Sequence, residues 1–167
     1  MKYHTLCLIM SVGLIASCST SSSASSGRPE IITWAKQIAN LEKHMEYEVS
    51  QATPLTDKIT SHPPTQDELT QLVEYSNRIT ALYNAMVSIE PPPEARTVHA
   101  KYVENYAKIA DSVRYYVFAV KQNDLSYFDK SVTAAQDANR IGTEAYNDFE
   151  ALLNRYSINC GEIDFCE

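Results

Sequence analysis

His99 is the first residue to consider for chemistry, because it stands shortly after a triple proline, Pro91-Pro92-Pro93, at the edge of an apolar helical arc. A histidine there can accept a proton or ligate a metal. It can equally pack between helices, bonded to a neighbour such as Glu94 or to a carbonyl of the prolyl turn. His44 and Glu48 lie four residues apart, which on a helix turns both to one side. Helical bundles hold metals between such pairs, but the di-iron pattern requires Glu-x-x-His on two helices. The chain contains no Glu-x-x-His. A haem would require Cys-x-x-Cys-His, which is absent, or an inward Met and His; Met45 and Met86 read instead as adaptable core filler. No metal and no cofactor is expected.

Other polar or small residues fall on apolar stripes. Asn139 occupies a position where a buried polar residue can set helix register or bond a small ligand. Gly142 is mid-helix, where glycine costs about 1 kcal/mol relative to alanine, so close packing is expected around it. Pairing of the last two helices about Asn123-Asp124 places Gly142 near Tyr106, with room for that ring. His99, Tyr106, Asn139 and Gly142 are therefore the candidate ligand-binding residues. There is no Gly-x-Ser-x-Gly, no phosphate-cradling glycine loop and no His-Glu-x-x-His. The chain is not expected to be an enzyme.

Four segments of helical period position these residues. The first spans about 29–51, with Trp34, Ile38, Leu41, Met45 and Val49 in one stripe, and Thr53-Pro54 is expected to end it. The second opens with the capping box Thr65-Gln66-Asp67-Glu68 and carries Leu69, Leu72, Ile79, Tyr83 and Met86 up to the proline run. The third continues to about Gln122 and gathers Val98, Tyr102, Tyr106, Ile109, Val113, Tyr116 and Val120 on one arc. Tyr115 and Phe118 fall outside that arc, on its charged side, and form the candidate partner patch. The fourth covers 125–156 with a heptad-like seam of Phe128, Val132, Ala135, Asn139, Gly142, Tyr146, Phe149, Leu153 and Tyr156. The expected fold is all-α, an up-down-up-down four-helix bundle over 29–156, followed by a tail at 157–167.

The chain ahead of the bundle reads differently. Lys2 precedes the apolar run Leu6–Ala16, which is too short to cross a bilayer and has the character of an export signal. Ile15-Ala16-Ser17-Cys18 follows, then a Ser-rich coil to Gly27 whose reach is roughly 15–18 Å. The tetrapeptide resembles the lipobox of bacterial lipoproteins. That resemblance implies removal of residues 1–17, fatty acylation of Cys18 and a lipidated tether over 18–28. The expected location is the cell envelope: the periplasmic side of the outer membrane in a two-membrane host, given Ser19 after the cysteine, and otherwise the outer face of the plasma membrane. From Pro91-Pro92-Pro93 through His99 and the 94–155 hairpin, the body resembles uncharacterised small helical-bundle lipoproteins of bacteria, which implies no activity.

Cysteine usage fits an export route. Cys7 leaves with the signal and Cys18 takes lipid, so Cys160 and Cys166 remain. Outside the cytoplasm they are expected to close a small disulfide loop. Free thiols, a redox pair or a metal site are the alternatives, the last two lacking the usual spacing and further ligands. With 14 basic and 21 acidic residues the chain carries −7, which argues against a nucleic-acid binder, since that needs a basic face. The expected function is a non-enzymatic interaction or scaffold module with an envelope protein as partner. The second reading is a ligand- or metal-sensing bundle with a site near His99 and Gly142.

Overall fold

A computed structural model describes residues 27–165. The signal segment, Cys18, most of the tether and Cys166 lie outside the described residues. The elements run α1 (Arg28–Ser61), α2 (Gln66–Ser88), a 3-10 turn at Pro93–Ala95, α3 (Arg96–Gln122), α4 (Leu125–Arg155) and a second 3-10 turn at Cys160–Glu162. This is an all-α four-helix bundle, without strands among the described residues. None of the described helices is long and apolar enough to cross a membrane.

The helix boundaries follow local chemistry. Gly27 opens α1 with φ 115°, a conformation that side-chain-bearing residues rarely adopt, and Pro29 occupies the first turn, where its missing N–H costs nothing. The expected capping box at α2 is present: the Thr65 N–H donates to Glu68 Oε2 at 2.8 Å, and the Glu68 N–H donates to Thr65 Oγ1 at 3.3 Å. Asn123 ends α3 in the left-handed region, and Asp124 then caps α4 by accepting from the Ser126 N–H at 2.9 Å.

Two sequence expectations are corrected. Helix α1 does not stop at Thr53-Pro54 but runs through Pro54 to Ser61, 34 residues in all. Proline removes one backbone donor and normally breaks a helix interior. Here the apolar stripe continues beyond it, with Ala52 and Ile59 buried and Leu55 packed against the core, so tertiary packing outweighs the local penalty. The α4 seam is also displaced. Its buried residues are Ser131, Ala134, Ala138, Ile141, Ala145, Phe149, Leu152 and Leu153, while Asn139 is exposed. Ser131, Ala134, Ala138 and Ala145 make part of this face small, and α4 pairs more extensively with α3 than with any other element. The larger Phe128, Val132 and Tyr146 stand half-buried on its flank.

Helix α3 is the central element, pairing most extensively with α4 and next with α2. Helix α1 joins α2 partly through the Arg78 Nε–Glu48 Oε2 contact of 2.7 Å, so Glu48 is committed to an ion pair while His44 is exposed. Large rings bridge α1 to α3 and α4, with Trp34 lying 5.6 Å from Phe149. The segment after α4 docks rather than trails. Ile158 and Ile163 are buried, and Phe165 stacks edge-on to Phe149 at 5.9 Å. Arg28, placed in the tether by sequence, is the first residue of α1 and grips this segment. Its Nη2 donates to Glu162 Oε1 and Oε2 at 2.9 and 2.7 Å, and its Nε donates to the Tyr156 carbonyl at 3.1 Å.

Candidate functional site

The sequence candidates do not converge on one site. His99 is buried and accepts a hydrogen bond at Nδ1 from the Trp34 indole N–H at 3.4 Å. That bond leaves the proton on Nε2 in the neutral imidazole. Burial pushes the His99 pKa below its ordinary value, so the neutral form is favoured. Its partner is therefore Trp34 of α1 rather than Glu94 or the prolyl turn.

Gly142 makes room for Asn105, not for Tyr106. A Cβ built on Gly142 would stand 2.9 Å from Asn105 Nδ2. That amide donates to the Ala138 carbonyl at 2.6 Å inside the α3–α4 seam. Further along the seam, Ser112 Oγ donates to the Ser131 carbonyl at 3.0 Å and Ser131 Oγ to the Ser112 carbonyl at 2.9 Å. Exposed Asn139 has no place in this network. The register role assigned to it belongs to Asn105 and the serine pair.

Tyr106 instead turns toward α1 and the acid Glu42. The Tyr106 ring is fully buried, and its hydroxyl has no well-aligned hydrogen-bond partner; Glu42 Oε1 is buried and equally without one. The two groups are nonetheless each other's neighbours: the phenol donates toward the carboxyl in a hydrogen bond of imperfect geometry, which lowers the Glu42 pKa and raises that of Tyr106. Burial raises the Glu42 pKa to about 7, against a smaller lowering by the Tyr106 hydroxyl, and nearby Glu46 adds to the rise. Burial, with Glu42 beside them, holds the phenols of Tyr102 and Tyr106 well above their ordinary values. From α4, Tyr146 Oη donates to Glu150 Oε1 at 3.0 Å, and both residues act on Tyr102. Glu42 thus acts on Tyr102 and Tyr106, and Tyr146 and Glu150 act on Tyr102, so α1, α3 and α4 each bring ionisable groups to this part of the bundle.

Sequence reasoning passed over Glu42, although a signal existed. It stands four residues after Ile38 and three before Met45, on the buried stripe of α1. An acid in that position is out of place on an apolar face.

A second feature lies at the far end of the bundle. Phe118 is 38% exposed and Leu125 is 53% exposed. Tyr127 stands 5.6 Å from Phe118 and 6.4 Å from Tyr115, making a continuous aromatic patch across the α3–α4 turn. Arg114 Cζ lies 5.5 Å from the Tyr115 ring centre and Lys130 Nζ 4.7 Å from that of Tyr127. Tyr115 is half-buried in this cluster rather than free-standing, and Tyr127 is the member that sequence reading missed. No cluster of metal-ligating side chains occurs among the described residues. No family model, curated protein or solved structure matches this chain.

Proposed function

We propose that this chain is a lipid-tethered bundle of a bacterial cell envelope that works by contact rather than by catalysis, holding a protein partner at the end remote from its anchor. The observation that carries this reading is the polarity of the bundle. The chain enters at Arg28, beside the end of α4 at Tyr156, whereas Phe118, Leu125 and Tyr127 cluster at the α3–α4 turn. At 1.5 Å per residue, α3 separates those ends by about 40 Å. With Cys18 acylated and the Ser-rich tether entering at one end, the aromatic patch faces away from the bilayer. Several acyl chains on one residue give firm anchoring where a single chain gives marginal binding.

We also propose the Cys160–Cys166 disulfide. The Phe165 N–H donates to the Cys160 carbonyl at 3.0 Å, so the backbone has already turned back toward Cys160 one residue before Cys166. A loop this short pins the docked tail more than it stabilises the whole.

A photo-crosslinking residue placed at Phe118 in living cells of the native host tests the reading, with the same residue at Tyr47, 61% exposed on the side of α1, as the comparison. The expected result is a discrete protein adduct from position 118, lost when Tyr115→Asp accompanies the crosslinker, and none from position 47. Equal labelling from both positions, or none from 118, would overturn it.

A further inference from the structure

We infer that residues 156–165 form an acid-released strap: protonation of His99 breaks its bond to Trp34, and the rings of Trp34, Phe149 and Phe165 carry that change to the strap. The inference goes beyond the proposed function and does not rest on it. The strap closes a side of the bundle that the helices leave open. Helix α1 pairs with α2 and α4 with α3, but α1 and α4 do not pair extensively with each other. Side chains fill that side instead. Trp34 of α1 lies 5.6 Å from Phe149 of α4, and Phe165 of the strap lies 5.9 Å from Phe149. Tyr156, Ile158 and Ile163 are buried alongside.

The polar fastenings of the strap sit nearer the surface. Arg28 Nη2 donates to the Ser157 carbonyl at 3.2 Å and to Glu162, and Lys43 Nζ donates to the Asp164 carbonyl. Exposed contacts of this kind hold weakly, and a single 3-10 turn is the only regular structure the strap contains. Such a segment opens at a lower free energy than the helices it covers.

His99 is the key because its bond tolerates one protonation state. Nδ1 accepts from the Trp34 indole N–H at 3.4 Å, and the two rings meet edge-on with centres 6.3 Å apart. A protonated imidazole carries N–H on both nitrogens, so two donors would then face each other in a buried place. No ionisable group from α1, α4 or the strap compensates that charge among the described residues. Trp34 and Phe149 are neutral, Glu94 and Arg96 beside His99 in the chain are exposed, and burial is the cause that lowers the His99 pKa. The closed strap is therefore favoured above pH 6.5 and loses that advantage as the pH falls below it. The Glu162 carboxyl, held below its ordinary value by the Asn159 N–H and then by Arg28, keeps its fastening until the pH drops under 4.5. In mild acid His99 acts first.

Trp34 is the one tryptophan of the chain, so acrylamide quenching of its fluorescence reads the strap directly in the purified full chain in nonionic detergent. Between pH 8 and pH 5 quenching should rise below pH 6.5 while the helical circular dichroism signal stays unchanged. His99→Gln, whose amide oxygen still accepts from the indole but does not titrate, should hold quenching flat. Glu42→Gln should leave the rise intact, since Glu42 acts on Tyr102 and Tyr106. Loosening the strap from its other end tests the coupling, which must be reciprocal. Phe165→Ser should move the midpoint of the rise upward toward 6.5, and Arg28→Gln should move it the same way by less. A flat wild-type profile, the same rise in His99→Gln, or an unmoved midpoint in both strap variants would overturn the inference. So would loss of the helical signal together with the rise, because it would report unfolding of the bundle rather than release of the strap.

Discussion

The two sides of α3 solve the problem of buried polarity in opposite ways. Toward α4, every polar side chain in the seam has an answer. Asn105 bonds to the Ala138 carbonyl, and Ser112 and Ser131 bond to each other's carbonyls. Ala134, Ala138 and Ala145 lie between or beside them, and this is the most extensive helix pairing in the bundle. Toward α1 the helices stand apart and large rings bridge them. There the Trp34–His99 bond is made, but Glu42 and Tyr106 answer each other only with imperfect geometry. A satisfied seam specifies register and rigidity. A buried carboxyl whose partner is poorly aligned costs stability instead. The contrast places the well-bonded polar seam in α3–α4 and the strained buried polarity on the α1 side.

Truncation is the strongest way to break this comparison. Trp34→Ala should cost about 3–5 kcal/mol of unfolding free energy, because it empties the ring-filled space between α1 and the α3–α4 pair. Ser131→Ala on the opposite side should cost about 1 kcal/mol. Denaturant unfolding of the two variants measures the difference, and equal losses would erase the distinction drawn here.

The pH dependence ranks next. The folded Glu42 pKa is raised from 4.5 to about 7, so its carboxyl stays protonated in the folded state after it would have ionised in the unfolded one. Stability is then lost as pH rises from about 4.5 to about 7, by roughly 3 kcal/mol in all. His99 acts in the other sense. Its folded pKa is lowered, so protonation favours unfolding, and its contribution is regained as pH rises toward 6.5. Stability profiles of wild type and Glu42→Gln should therefore converge near pH 4 and separate above it, with the variant the more stable at pH 8. Parallel profiles would count against a buried, ionisable Glu42.

The smallest expected effect is a change of sign. Gly142→Ala gains about 1 kcal/mol of helix propensity, but its Cβ would press on Asn105 Nδ2 and its short bond to Ala138. Overpacking of that kind costs about 1–3 kcal/mol, for a net loss of about 1 kcal/mol. With Asn105→Ala already present, the obstruction is gone and the same substitution should stabilise. A double-mutant cycle reads the coupling directly.

The sequence already carried much of this contrast. Helix identities, the Thr65–Glu68 box, the Asn123-Asp124 turn and the buried stripe of α1 through Trp34, Ile38 and Met45 were all readable from spacing and caps. The first half of the α4 face was not, because large residues such as Phe128 and Val132 dominate a hydrophobic pattern while Ser131, Ala134 and Ala138 are the ones buried there. Pro54 misled for a related reason: its local penalty is visible in the sequence, whereas the burial of Ile59 that outweighs it is a tertiary fact. Asn105 and Glu42 lay on readable faces. Only packing reveals that one bonds a backbone carbonyl and the other is buried beside a phenol.

The claim on which the proposed function rests lies before the bundle, at Cys18. Mass spectrometry of the protein isolated from its native membrane tests it most directly. The account predicts a chain that begins at Cys18 and carries fatty acyl groups on that residue. A first residue elsewhere, or an unmodified Cys18 on a chain recovered from the aqueous phase, would contradict it.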